Sequence, residues 1–176
     1  MNCLRSARAA LSLCVLTFSI MPLANAGGAQ AAADADNAYL EELLGKWDMT
    51  GWMGNKALHY HAVGERVLQD GFLRLHMLDA AADPKYEADV FIGVDSAQHD
   101  FIAHWLDRFG AAGARVVGTG KRNNEQLIVV FPYASGSFRD TFTFMPESST
   151  WSLLLESQKS DGSWSTFASY SLVRAH

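Results

Sequence analysis

Much of the chain alternates between apolar and polar residues. Tyr86, Ala88, Val90, Ile92 and Val94 are interleaved with Glu87, Asp89, Phe91, Gly93 and Asp95. A period of two sends the two sets to opposite faces of a strand. Phe138, Phe142 and Phe144 alternate with Arg139, Thr141 and Thr143 in the same way. Trp151, Leu153 and Leu155 repeat the pattern, as do Trp164, Ala168, Tyr170 and Leu172. Turn-forming residues separate these runs at Asp95-Ser96, Asn123-Asn124, Ser135-Gly136, Pro146-Glu147 and Asp161-Gly162. Asp161-Gly162 predicts a two-residue hairpin with positive φ at both central positions.

These signals predict ten strands, over 46–53, 57–69, 72–79, 86–95, 99–107, 113–121, 125–133, 137–145, 150–158 and 163–174. Their connections are too short for parallel crossovers, so an up-and-down antiparallel meander is expected. Closing the sheet removes its two unpaired edges. The fold class expected is therefore all-β, a single barrel of about ten strands with room inside it. An open sandwich of two sheets is the alternative.

Helical periodicity is confined to one place. Tyr39, Leu40, Leu43 and Leu44 share a face, Asp36 or Asn37 can cap the start, and Gly45 can end it. The preceding Gly27–Asp36 is Gly/Ala-rich without large apolar side chains and reads as a flexible leader, with the barrel domain spanning 37–176. Before that, Arg5 and Arg8 precede an apolar stretch from Ala9 to Met21, then Pro22 and Ala24-Asn25-Ala26. This is the layout of a signal peptide over residues 1–26, and it predicts a secreted or periplasmic protein. The apolar stretch is shorter than the roughly 20 residues a spanning helix needs, so no stable membrane anchor is expected.

Processing there would change the remaining chemistry. Cys3 and Cys14 would both be lost, leaving no disulfide, thiolate nucleophile or cysteinyl metal site. Losing the two positive charges of Arg5 and Arg8 takes the formal charge from −5 to −7. An acidic chain without a basic cluster argues against nucleic acid as a partner. A small molecule is the expected partner. Leu127-Ile128-Val129-Val130-Phe131 is apolar on both faces, so its outer side needs cover, either from the helix or from a second copy in a homodimer.

Short motifs occur in a suggestive order. Leu43-Leu44-Gly45-Lys46-Trp47 opens the first strand and Tyr170-Ser171-Leu172-Val173-Arg174 closes the last. Between them lie Gly93-Val94-Asp95, His104-Trp105-Leu106-Asp107, Gly118-Thr119-Gly120, Phe138-Arg139-Asp140-Thr141-Phe142 and Trp164-Ser165-Thr166-Phe167-Ala168-Ser169-Tyr170. The series resembles a family of bacterial calycin-like, lipocalin-like barrels related to the nitrobindin-like haem-binding group, over roughly Leu43 to Arg174. That resemblance implies a ten-stranded calycin barrel and no particular activity. It also implies structural roles for Trp47 and Arg174, an indole closing the barrel floor beneath a stacked guanidinium.

Haem enters through the same resemblance, with His104 or His76 as the imidazole. The nitrobindin group uses a histidine late in its chain, whereas here the last is His176, the terminal residue. Metal binding has candidates in His59 and His61, which share a strand face, with His76 or His104 as a third ligand. Strand arginines are the stronger signal: Arg66, Arg74 or Arg139, turned inward, would need a carboxylate partner or a bound anion. Tyr170, Trp105 and His104 are further candidate ligand contacts. Asp48, Asp89, Asp100, Asp107 and Asp140 would serve as bases if buried. The expectation is an exported barrel holding a small apolar or amphipathic molecule, an anionic one where an arginine turns inward, with no resident cofactor. A haem protein, a cavity enzyme and a side-chain-filled interaction module are the alternatives.

Overall fold

In the computed structural model, residues 26–176 are described. The expected signal peptide lies outside them except for Ala26. One helix, α1 (Ala26–Glu41), leads into ten strands. These are β1 (Gly45–Met53), β2 (Lys56–Val67), β3 (Phe72–Asp79), β4 (Glu87–Asp95) and β5 (Asp100–Asp107). β6 (Val117–Asn123), β7 (Gln126–Phe131), β8 (Phe138–Met145), β9 (Thr150–Gln158) and β10 (Trp164–Arg174) complete the set. Every strand pairs antiparallel with its sequence neighbours, and β1 pairs with β10 to close the barrel. Alternation and short turns therefore yield the expected closed, ten-stranded meander.

Two local expectations are corrected. The segment expected to be a flexible leader is helical, because α1 already begins at Ala26. Alanine forms helix readily without an apolar stripe, and this stretch is anchored. Ala33 is buried, and Arg122 Nε donates to Asp36 Oδ1 at 2.7 Å. The Asp161-Gly162 turn has positive φ only at Gly162. Asp161 instead accepts from the Ser163 amide at 2.9 Å, and the Lys159 amide donates to the Ser163 carbonyl, giving a longer loop.

The two ends of the barrel differ. At the end where β1 starts, α1 and the turn after it form a plug. Tyr39, Leu40 and Leu43 are buried, and Tyr39 donates to the Phe142 and Glu125 carbonyls. Trp47 Nε1 donates to the Leu43 carbonyl at 2.8 Å and Trp151 Nε1 to the Glu42 carbonyl at 3.2 Å. The Arg174 guanidinium lies 3.9 Å from the Trp47 ring centre and donates to the Leu44 and Glu42 carbonyls. It thus satisfies acceptors that a helix end leaves open. Gly64 passes so close beneath this turn that a Cβ there would lie 2.0 Å from the Leu43 carbonyl oxygen.

The inward side chains of this closed half pack solidly. Met49, Ala62, Leu75, Val90, Ala103, Val129, Phe142, Leu153 and Leu172 are each at most 3% exposed. Gly118 and Gly120 also face inward, where a Cβ on either would collide with Phe131 or Val129. That pair makes room for bulky neighbours, as glycine in a strand often does. The helix does not cover the outer face of β7, where Ile128 remains exposed.

Candidate functional site

The other end of the barrel is open. The loops at 53–56, 79–87, 107–117, 131–138 and 158–164 surround the mouth of a cavity of about 770 Å3. Such a volume falls in the range of small-molecule sites. Its walls come from the same inward face that fills the closed half, two residues nearer the mouth on each strand. Tyr60, Trp105, Phe131, Asp140, Leu155 and Tyr170 line it, whereas Ala62, Ala103, Val129, Phe142 and Leu153 do not. The barrel is thus half solid and half hollow.

Aromatic side chains form most of the wall in two groups. Tyr60 has ring-centre distances of 5.6 Å to Tyr86 and 5.9 Å to Tyr170, and Trp105 Nε1 donates to the Tyr86 hydroxyl at 3.2 Å. Burial raises the pKa of all three tyrosines, so each hydroxyl stays neutral at physiological pH. Across the mouth, Phe131, Tyr133, Phe138 and Phe167 form a chain with successive centres 5.2–6.4 Å apart. Phe167 joins it through a bulge in β10 between Thr166 and Ala168. Gly51 supports the arrangement from β1, since a Cβ there would press on the Tyr170 ring at 2.7 Å.

One polar group stands apart at the boundary between the hollow and solid halves. Asp140 is 3% exposed, lines the cavity, and its Oδ1 has no hydrogen-bond partner among the described residues. Arg74 Nε and Asp100 Oδ1 also lack well-formed hydrogen bonds, but each lies beside an opposite charge. Asp140 has none among the described residues. Desolvation pushes its carboxyl up from 3.8 to about 7, as expected for a carboxylate moved out of water without compensation.

The structure divides the residues singled out in the sequence. Tyr170 and Trp105 are in the cavity wall. Arg139 is on the outer face, where Nη2 sits 2.6 Å from Glu156 Oε2 and the guanidinium stacks on Trp164 at 4.4 Å. Arg74 is also outside, between Glu65 and Asp89. Arg66 lies at the closed end, donating to the Asn37 carbonyl at 3.0 Å and thereby holding α1. An arginine clamp for an anion inside the barrel is therefore corrected: none of the three reaches the cavity. The reason for Arg139 is parity, since Phe138, Asp140 and Phe142 take the inward positions of β8.

The histidines are also outside the cavity interior. His104 Nε2 lies 2.7 Å from the Ala114 carbonyl oxygen, and His76 Nδ1 is 2.9 Å from Asp89. His59 reaches the rim of the mouth, but its Nε2 is turned to Asp48 at 3.7 Å. An axial imidazole is thus not presented to the cavity, and these donors do not fit haem there. His59, His61 and Asp48 do bring three ligand atoms within 4.8 Å of one another on the exposed outer wall. His76 and His104 take no part in that group.

Sequence reasoning weighed Asp140 only as one of several acids and did not single out Tyr60, Tyr86, Phe131, Tyr133, Phe138 or Phe167 as ligand contacts. The usable signal for Asp140 was its place among Phe138, Phe142 and Phe144, a carboxylate in an otherwise apolar series. No family model matches the chain, and no curated protein matches it.

Proposed function

We propose that the protein is an exported barrel that binds a small, largely apolar molecule in its open half. The cavity carries this reading: about 770 Å3 enclosed by aromatic rings and open at one end. Aromatic walls gain contact area at little entropic cost, because their side chains have few torsions to freeze. A module whose interior served only packing would have no reason to leave this half hollow while filling the other. The order of motifs shared with calycin-like barrels supports the same reading, and the signal-peptide-like start supports export.

Titration with N-phenylnaphthylamine, which is dark in water and fluoresces in apolar surroundings, tests the proposal. Saturable enhancement at one site per chain is expected. In Ser157→Trp an indole occupies the hollow from an inward position of β9. That variant should lose the enhancement while keeping the wild-type circular dichroism and cooperative unfolding. Equal enhancement in both proteins, or none in the wild type, overturns the assignment.

A further inference from the structure

We propose that the cavity selects molecules that carry a protonated amine on an apolar body, with Asp140 as the counter-charge at its floor. This rests on the ligand-binding reading above. A buried carboxylate without a partner is an incomplete ion pair, and a ligand can supply what the protein does not. Removal from water costs such a group several kcal/mol unless donors replace the lost solvent. Asp140 lines the inner part of the cavity, so a donor that enters it meets this carboxyl group, whose Oδ1 is buried without a partner among the described residues.

The surroundings favour a cation over the other donors. No arginine among the described residues lines the cavity, and the lining lysines, Lys56 and Lys85, lie at its mouth together with Asp79 and Asp107. Lys85 is in addition paired with Asp83. A carboxylate ligand driven to the floor would therefore meet a like charge. An ammonium meets an opposite one, and on its way passes Phe131, Tyr133 and Phe138, aromatic rings whose π-systems can attract a cation.

The elements packed against Asp140 present few other ionisable groups. Its cross-strand neighbours are Val129 on β7 and Leu155 on β9, and its neighbours along β8 are Phe138 and Phe142. Tyr170 on β10 and Tyr133 in the 131–138 loop are the titratable groups that face it, both held neutral by burial. Asp140 is consequently the group that changes charge at this end of the cavity near neutral pH. Binding of an ammonium favours the ionised carboxylate, so affinity rises with pH until the amine itself deprotonates.

Three probes with one naphthyl body test this: naphthylethylamine, ethylnaphthalene and naphthylacetate, each displacing N-phenylnaphthylamine. At about pH 8 the wild type should bind the amine about tenfold or more tightly than the neutral probe, and the acid most weakly, as a charge-assisted hydrogen bond implies. The amine preference should shrink on going to about pH 5 and vanish in Asp140→Asn at both pH values. Asn keeps the shape and removes the charge, so the ratio of affinities for the three heads within each protein is the quantity read, and Arg139→Met, outside the cavity, should keep the wild-type ratio. Equal affinity for all three heads, or an amine preference that survives Asp140→Asn, overturns the selection while leaving the pocket intact. Absence of N-phenylnaphthylamine binding overturns the pocket and the selection together.

Discussion

Substituting Asn for Asp140 changes one proton-binding site and almost no volume, and its effect on folding can be worked out in sign and size. In the native chain burial holds the carboxyl at about 7, against 3.8 for the free group. Between those values the folded protein keeps a proton that the unfolded chain has released. Stability from this group is fully present below the unfolded value. It declines as pH rises through the window and levels off above the folded value. A shift of about three pH units, at about 1.36 kcal/mol each, makes the decline about 4 kcal/mol. That is a large part of the roughly 5–15 kcal/mol that holds a domain together.

The Asp140→Asn variant would have no such dependence. Asp79 and the exposed Asp161 have lowered pKa values because their carboxylates accept hydrogen bonds from the Lys85 and Ala81 amides and from Ser163. They act with the opposite sign at acid pH and cancel when the two proteins are compared. Urea unfolding followed by tryptophan fluorescence from about pH 4 to about pH 8.5 isolates the difference. The advantage of the variant should grow by about 4 kcal/mol across the range, equivalent to roughly 10 °C in Tm. A difference that stays flat with pH would show that Asp140 does not titrate in a dry site, and the reasoning would fail.

Arg139→Met should leave the affinity for every naphthyl probe unchanged and cost less than about 1 kcal/mol in urea unfolding, since the Glu156 pair is partly solvated on the outer wall. Loss of probe binding would return Arg139 to the site. Arg174→Met removes the guanidinium from the Trp47 face and from two carbonyls of the closing turn. The expected loss is about 1–2 kcal/mol in urea unfolding, with faster hydrogen exchange at the start of β1, and unchanged exchange there would contradict the role given to it.

The barrel was legible in the sequence because its stabilising pattern is repetitive. Each of Phe138, Phe142 and Phe144, or Trp151, Leu153 and Leu155, faces the same interior. Two residues per repeat are enough to fix which face is which. The helix start was illegible for the opposite reason. Ala26 to Ala35 has no stripe to reveal a buried face, and its anchoring contacts join residues far apart in sequence, such as Asp36 with Arg122. In β10 the alternation misleads in one place. Trp164 has the spacing of Ala168, Tyr170 and Leu172, yet it stacks on Arg139 outside the barrel. The bulge between Thr166 and Ala168 changes the parity there.

The same parity separates the two members of the Arg139-Asp140 pair. Arginine in an aromatic strand looks like a ligand for an acid, but chemistry cannot be assigned before parity. The phenylalanines on either side already determine it, and a one-residue shift exchanges an inward cation for an inward anion. The consequence reaches the nature of the ligand. An inward arginine would have satisfied itself on a carboxylate head, whereas the inward aspartate has no guanidinium partner because parity turns Arg139 to the outer face, where it pairs with Glu156 on the next strand. The barrel thus keeps these arginines outside, paired, and the unpaired carboxylate of Asp140 inside among aromatic faces. A molecule that completes that arrangement must bring both an apolar body to displace water from the rings and a donor to meet the Asp140 carboxylate.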